Sequence, residues 1–296
     1  MTNITFVRKL LLVLALCALL APSARPQEYK IIYELQSQYQ FITVLDTASG
    51  YRKLIFDGKL DGSDHIQSEM KLSDHYKLSL PPTRHIMAAL PLVKNPQHIL
   101  ILGLGGASMQ RYLYRLLPDA KIETAELDPA VIKVATAYFF FKEDARQIVH
   151  PGDGRKFIEN SKDKYDIIFL DAFSATSIPY PLSTQQFLKA TKDHLVPGGI
   201  VGANIPDMLP EYRDMLKTYT TVFAELHLLK CANRGENVIL VAYPNKAGLT
   251  TQSWVDKARA FEKKHPTGLD LPQLIENSST GALPDLSQAK VLLDKK

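Results

Sequence analysis

One stretch of the chain, residues 98–126, constrains the fold more than any other. It begins with four apolar residues, 99–102, which are typical of a buried parallel strand. A glycine-rich turn follows directly, and apolar positions at helical spacing then run over residues 107–117. Residues 122–125 indicate a second strand, and Glu126 comes directly after it. Strand, glycine turn, helix, strand and acid in this order are typical of a doubly wound α/β sheet.

The same stretch predicts a nucleoside site. Gly103, Gly105 and Gly106 would let the backbone approach a ligand, which the N–H groups at the start of the next helix face. Glu126 lies 20 positions after Gly106, close to the usual offset of about twenty for an acid that binds ribose hydroxyls. The alternative is a glycine turn without a ligand and a solvated acid at a strand end, because a glycine pattern alone is a weak signal.

Strands and helices alternate along the rest of the chain, which predicts a mostly parallel sheet with helices on both faces. Strands over residues 148–149 and 165–170 are followed by Asp153, within GDG, and by Asp171. Because the carboxyl ends of parallel strands meet at one edge, we expect these acids and Glu126 to converge on one crevice. The alternative roles are a helix cap for Asp153 and a loop turn for Asp171.

The sequence divides into four expected segments: a signal peptide (1–24), a small β domain (28–80), a Rossmann-like nucleoside-binding domain (81–265) and a loose tail (266–296). In the β domain we expect strands over 28–35, 40–46 and 51–56 and a loop over 61–77. In the main domain we expect helices over 83–93, 129–138, 183–195, 209–222 and 252–264, a strand over 200–203 and an antiparallel pair over 223–229 and 237–242.

The first residues have the parts of a secretory signal peptide. Arg8 and Lys9 precede an apolar run over residues 10–21, and small residues at 23–24 would form the cleavage site. The run is shorter than the roughly twenty residues that span a bilayer. We therefore expect export to the periplasm or beyond and no membrane span after cleavage; an uncleaved anchor and a buried helix are the alternatives. Cleavage would leave Cys231 alone, without an internal disulfide.

The composition and charge of the chain argue against some classes of binding partner. The chain has 296 residues, is 46% hydrophobic and 22% charged, and carries a net charge of +4 without a dense Lys/Arg run. These values are usual for a globular protein and argue against nucleic acid and membrane surfaces as partners. His65, His75 and His85 do not follow a metal-ligand spacing, so we expect surface histidines and no metal site.

A nicotinamide cofactor and S-adenosylmethionine both fit a glycine turn followed by a ribose acid. The later acids separate them. Asp153, after the third main strand, suits the adenine amino group, and Asp171, after the fourth, faces the reacting end of the ligand. A nicotinamide-dependent oxidoreductase gives no reason for either acid, so the pattern favours S-adenosylmethionine or a derivative.

The motif order GLGG, ELD, GDG and LDAF resembles the class I S-adenosylmethionine-dependent fold and, more narrowly, the spermidine synthase family of polyamine aminopropyltransferases. The resemblance extends from about residue 39 to residue 242. It includes VLDTASGYRKLIFDGKLDGSDHIQSE, which is similar to the family's N-terminal hairpin, and LPPTRHIMAALPLV, which is similar to the helix before the central strand.

The resemblance implies a role for each matching residue. Gln67 matches a glutamine near the thioether end of the nucleoside, although its position in a polar loop leaves a solvated side chain as the alternative. Glu126 matches the ribose ligand, and Asp153 and Gly154 match the adenine-binding pair. Asp171 matches the acid that helps to deprotonate the attacking amine, and a partly buried carboxylate can both attract an ammonium ion and accept its proton.

Four positions depart from the family pattern. Gly106 stands where the glycine loop carries an aspartate, and Ser174 where the Asp-x-x-Asp loop carries its second acid. Thr83 and His85 stand where the family has a tyrosine and a glutamate that hold the amine. The nucleoside half of the site is therefore kept and the amine half is depleted. One carboxylate matches a doubly charged diamine such as putrescine poorly.

We therefore expect an aminopropyltransferase with decarboxylated S-adenosylmethionine, or S-adenosylmethionine itself, as co-substrate and a small-molecule amine as acceptor. The product would be methylthioadenosine, and the resemblance also implies a homodimer. Two alternatives stay open: a methyltransferase that uses S-adenosylmethionine on an unknown acceptor, and a relative that binds the nucleoside without catalysis.

Overall fold

The computed structural model describes residues 29–58, 66–174, 177–231 and 237–295. The predicted signal peptide, residues 1–24, and His65 lie outside the described residues. Within the described ranges, every helix is too short or too polar to cross a membrane.

An antiparallel four-stranded sheet in the order β1-β2-β3-β4 comes first. Its strands are β1 (Tyr29–Gln36), β2 (Phe41–Thr47), β3 (Tyr51–Phe56) and β4 (Ile66–Lys71). The first three match the prediction closely, but β4 lies inside the stretch that we expected to be a loop. Its buried positions are Ser68 and Met70, so the hydrophobic alternation that marks a strand is weak there.

The second sheet has seven strands in the order β10-β11-β9-β8-β5-β6-β7. They are β5 (His98–Leu102), β6 (Lys121–Glu126), β7 (Gln147–Pro151), β8 (Tyr165–Leu170), β9 (Leu195–Pro206), β10 (Glu225–Lys230) and β11 (Asn237–Tyr243). β5 to β9 are parallel, and β11 is antiparallel to both β9 and β10. The predicted doubly wound, mostly parallel sheet is confirmed. The strand order reverses at β5, where such sheets bind their ligands.

Helices cover both faces of this sheet. They are α1 (Pro81–Ile86), α2 (Ser108–Leu116), α3 (Pro129–Tyr138), α4 (Gly154–Asn160), α5 (Gln185–Asp193), α6 (Tyr212–Thr220), α7 (Thr251–Glu262) and α8 (Leu271–Ser278). On β5, Ile99 and Ile101 pack toward α2, α7 and α8, whereas Leu100 and Leu102 pack toward α4, α5 and α6. The wholly apolar run of β5 is thus explained by burial on both faces.

The four-stranded sheet packs against α3 and the glycine turn through its own apolar cluster. Ile42, Val44 and Leu54 contribute to this cluster together with Leu104 and Val134. The packing brings β4 beside the turn that follows β5, so the small sheet forms one wall of the crevice.

One of the predicted helices needs correction. The predicted helix over 83–93 begins earlier, because Pro81 and Pro82 occupy its first positions, which suit proline. It then tightens into a 3-10 helix at Met87–Leu92, which contains Pro91. Thr83, in the first turn, donates a hydrogen bond to the carbonyl of Leu80 at 2.9 Å.

The tail was expected to be loose, yet it contains α8 and packs on the core. Leu271 and Ile275 of α8 are fully buried, and Leu292 is 8% exposed. The apolar positions are few and lie among Pro, Gly and Ser, so composition hid a segment that tertiary packing orders.

Candidate active site

A cavity of about 580 Å³ opens at the carboxyl edge of the large sheet, within the range of about 300–1,000 Å³ that is usual for small-molecule sites. Residues at the ends of neighbouring strands form the floor of the cavity. From one side to the other the lining includes Asn237 (β11), Asn204 (β9), Asp171 (after β8), Gly103 (after β5), Glu126 (β6) and Asp153 (after β7). Gln67, Gly105 and Gly154 also line it. The structure thus brings all the predicted site residues except Gly106 to one cavity.

Gly103 is required by a close approach at the point where the strand order reverses. Its φ is +102°, and a Cβ there would collide with the backbone carbonyl of Asp171. The loops after β5 and β8 are tied together, since the Asp171 N–H donates to the carbonyl of Leu102 at 3.0 Å. The glycine therefore lets the two loops that face the ligand lie side by side.

Gly106 has a different position from the predicted one. It is not among the residues that line the cavity; instead its N–H donates to Ser68 Oγ at 2.8 Å. A Cβ on Gly106 would lie 2.8 Å from the Ser68 Cβ and 3.0 Å from the ring of Phe139. Gly106 is therefore needed for packing of the turn against β4, and the assignment to ligand binding is not supported.

Glu126 is held by the backbone around it. One carboxylate oxygen accepts from the N–H of Leu104 at 2.8 Å, and the other from the N–H of Asp128 at 2.9 Å. Burial raises the pKa of Glu126, and these two N–H groups oppose that shift. Each carboxylate oxygen has a second lone pair, so the fixed side chain can still accept hydrogen bonds from the hydroxyls of a ligand.

Asp153 combines the two roles considered for it. Its Oδ1 caps α4 by accepting from the N–H groups of Arg155 at 2.8 Å and Lys156 at 3.2 Å. The residue is exposed and lines the cavity. Because both cap bonds use Oδ1, Oδ2 can bind a ligand without loss of the cap.

Asp171 accepts a hydrogen bond from the first of two linked asparagine side chains. Asn204 Nδ2 donates to Asp171 Oδ1 at 2.9 Å, and Asn237 Nδ2 donates to Asn204 Oδ1 at 2.9 Å. Burial raises the pKa of Asp171 to about 6, and the hydrogen bond from Asn204 limits the rise. A carboxylate with this pKa is ionised at neutral pH and still basic enough to accept a proton.

Sequence reasoning missed both asparagines. Asn204 could have been found by the rule that selected Asp171, since it also lies at the carboxyl end of a parallel strand. Asn237 gives no such signal, because it lies at the start of β11 and reaches the site only through the antiparallel pairing with Pro206.

The four departures from the family pattern lie in different places. Thr83 and Ser174 line the cavity. His85 does not: it is 7% exposed, and its ring nitrogens contact the Pro81 carbonyl at 2.8 Å and Ser278 Oγ at 3.1 Å. Burial lowers the pKa of His85. The expectation of a surface histidine is therefore wrong for His85, which joins α1 to α8.

The charges around the cavity have one sign. Glu126, Asp153 and Asp171 are its ionisable residues, and Lys, Arg and His are absent from the lining within the described ranges. The described lining therefore attracts cations and contains no cationic side chain that could bind a carboxylate or phosphate.

A separate group of candidate metal ligands lies away from this cavity. Within the described residues, ligand atoms of His98, Glu123 and Asp163 lie within 4.8 Å of one another. Glu123 already forms an ion pair with Lys121 and accepts from the Tyr165 hydroxyl at 3.2 Å. Burial opposes its charge, but His98 and Lys121 outweigh burial and lower the pKa of Glu123 to about 2. We interpret the group as an ion-pair network.

Comparison with known proteins gives a consistent result. Residues 83–227 match the family model described as "Spermine/spermidine synthase domain". The polyamine aminopropyltransferase of Vibrio vulnificus (strain CMCP6) is 34% identical over 251 residues, which cover 82% of this chain and 83% of that protein.

Solved structures share the fold. A probable spermidine synthase from Corynebacterium glutamicum has a TM-score of 0.70 at 18% identity and covers 90% of this chain and 98% of its own. Human methyltransferase-like protein 13, solved with SAH, has a TM-score of 0.58 at 26% identity and covers 62% of this chain and 92% of its own. The class I S-adenosylmethionine-dependent fold predicted from the motif order is therefore confirmed.

Proposed function

The chain belongs to the spermine/spermidine synthase family, and from this premise we propose that it is an aminopropyltransferase. It moves a propylamine group from decarboxylated S-adenosylmethionine to a small-molecule amine and releases methylthioadenosine. The observation that carries the proposal is the half-buried carboxylate of Asp171, which lines the cavity beside the glycine turn at the edge where the strand order reverses.

The reaction needs a base at this point. An alkyl ammonium ion has an ordinary pKa near 10.4, so the acceptor arrives protonated and must lose a proton for its nitrogen to attack. The neutral nitrogen bonds to the propyl carbon attached to sulfur, the carbon–sulfur bond breaks, and its electron pair returns to sulfur as a neutral thioether. Asp171 takes the proton that leaves the nitrogen, and its pKa of about 6 lets it do so near neutral pH.

The remaining residues bind and orient the nucleoside. Glu126 would accept hydrogen bonds from the ribose hydroxyls, and Asp153 Oδ2 with the backbone at Gly154 would contact the adenine edge. Gln67, on β4, would lie against the sulfur end. The turn from Gly103 to Gly105 lets the nucleoside lie directly over the strand ends.

The charges of the cavity favour the decarboxylated donor. S-adenosylmethionine carries a carboxylate that its decarboxylated derivative lacks, and the described lining contains three acids without a Lys, Arg or His. A carboxylate in this cavity would lie among like charges, whereas the donor's ammonium and sulfonium groups would be attracted.

The test is release of methylthioadenosine by the full chain from decarboxylated S-adenosylmethionine with a panel of primary amines. We expect release by the unaltered protein and a fall in kcat of about 10²- to 10⁴-fold in Asp171→Asn, the usual effect of losing a general base. Asp163→Asn, which alters an exposed carboxylate outside the cavity, serves as the control and should retain full activity.

Two other outcomes would identify the alternatives. Release of S-adenosylhomocysteine from S-adenosylmethionine would indicate a methyltransferase. Tight binding of methylthioadenosine without turnover of either donor would indicate a relative that binds the nucleoside without catalysis. Each of these results would overturn the proposed activity.

We also propose that the protein acts outside the cytosol, with residues 1–24 as its signal peptide, and that it forms a homodimer. The support for export is the basic start, apolar run and small residues of the sequence; the support for the dimer is the family resemblance alone. Amino-terminal sequencing of exported protein should find a chain that begins near residue 24, and sedimentation should give twice the chain mass.

A further inference from the structure

We infer that the acceptor is a primary amine with one ionisable nitrogen and an uncharged, apolar remainder, and that diamines are poorer substrates. The inference rests on the aminopropyl transfer proposed above and adds the chemical class of the acceptor.

The strand order divides the cavity into two halves. The nucleoside half lies over β5, β6 and β7 and includes the carboxylates of Glu126 and Asp153. The acceptor half lies over β8, β9 and β11, where the polar groups at the strand ends are Asp171 and the amides of Asn204 and Asn237. Within the described residues, the acceptor half therefore contains a single carboxylate.

The other walls of the acceptor half are mainly apolar. At the ends of β8 and β9 they include Phe173, Pro206 and Met208. Met208 is 64% exposed, so an apolar substrate that covers it would remove apolar surface from water.

Ser174 adds a hydroxyl to this half but no charge. Its Oγ donates to the carbonyl of Ser177 at 3.0 Å and lies 2.9 Å from Ser177 Oγ. The side chain is thus occupied in a local turn, and it cannot compensate an ammonium ion as a carboxylate would.

The balance of charges selects the acceptor. A monoamine brings one ammonium ion into the acceptor half, and Asp171 attracts it and takes its proton when the nitrogen attacks. Asp171 is then neutral and cannot compensate a further cation. A diamine brings a second ammonium ion into the acceptor half, where the described residues offer no second anion, and taking an unpaired cation out of water is strongly unfavourable. A monoamine with an apolar chain avoids this penalty and would lie against Phe173, Pro206 and Met208.

The experiment compares kcat/KM for methylthioadenosine release with n-butylamine and putrescine, and with n-pentylamine and cadaverine, at fixed decarboxylated S-adenosylmethionine. The two amines of each pair have the same chain length and differ by one ammonium group. We expect each monoamine to exceed its diamine by at least about tenfold, a conservative figure for an uncompensated cation in a cavity that is partly open to water. Faster release with the diamines would overturn this inference and leave the proposed function intact. No release with any amine would overturn the proposed function and this inference with it.

A gain of charge gives an independent test. Ser174→Asp places a second carboxylate in the acceptor half, so the ratio of diamine to monoamine kcat/KM should rise by about tenfold. Ser177→Asp adds the same charge in the same turn at a residue that does not line the cavity, and it should leave the ratio unchanged. Circular dichroism and methylthioadenosine titration verify that both variants are folded. An equal change in both variants would contradict the proposed role of position 174.

Discussion

Replacing Asn204 with leucine should move the pH dependence of the reaction, because Asn204 stabilises the ionised form of Asp171. The two side chains are joined by one hydrogen bond of 2.9 Å, and leucine keeps nearly the same shape without a donor. A hydrogen bond to a charged group contributes about 1.5–3 kcal/mol, and one pKa unit corresponds to about 1.36 kcal/mol. The pKa of Asp171, about 6 in the unaltered protein, should therefore rise by about one to two units.

The sign follows from the role of Asp171 as a base. Activity requires the ionised carboxylate, so kcat/KM falls as the pH drops through its pKa. The acid limb of the profile, near pH 6 in the unaltered protein, should move to between about pH 7 and pH 8 in Asn204→Leu. The assay measures methylthioadenosine release between about pH 5 and pH 9, a range that includes the acid limbs of the unaltered protein and of the variant.

Asn237→Leu is the matched control. It removes the donor to Asn204 but leaves the bond from Asn204 to Asp171 in place, so its acid limb should move by a clearly smaller amount. An acid limb that stays near pH 6 in Asn204→Leu, or an equal shift in both variants, would refute the reasoning.

Three further predictions concern stability and binding. Asp171→Asn should stabilise the protein at pH 8 by at most about 3 kcal/mol, which corresponds to the difference between the folded pKa of about 6 and the ordinary 3.8. In urea, the free energy of unfolding of the unaltered protein should fall as the pH rises from 3.8 to about 6, whereas that of the variant should not. Gly103→Ala should lower the melting temperature strongly, because the added Cβ would collide with the Asp171 carbonyl. Gly198→Ala shares the strain of a positive φ (+84°) but has open space around it, so it should lower the melting temperature less. Glu126→Gln should weaken methylthioadenosine binding by about tenfold or more in calorimetry, since hydrogen bonds to a charged acceptor are the stronger ones; an unchanged Kd would exclude a ribose contact.

The convergence of three acids on one cavity was predictable because each acid directly follows, or nearly follows, a strand in the sequence. Glu126, Asp153 and Asp171 come directly after or close behind recognisable strands, and parallel strands bring such positions to one edge. The turn at Gly103 was predictable for the same reason. The strand order, in which β11 lies between β9 and β10, could not be derived from the positions of the strands in the sequence alone.

The residues that were missed or misassigned depend on contacts between distant segments. Asn237 reaches Asn204 through strand pairing, and the sequence around it has no pattern that indicates a site. Gly106 was assigned to the ligand from the glycine pattern after β5, and only the packing of Ser68, on a strand that was not predicted, shows its structural role. His85 is buried by α8, a helix in a segment expected to be loose.

The most direct test of the account is a side-by-side measurement of the products formed from decarboxylated S-adenosylmethionine and from S-adenosylmethionine in the presence of n-butylamine. The account predicts methylthioadenosine and an aminopropylated amine from the first donor, dependent on Asp171, and no S-adenosylhomocysteine from the second. S-adenosylhomocysteine without methylthioadenosine, or transfer that persists undiminished in Asp171→Asn, would contradict it.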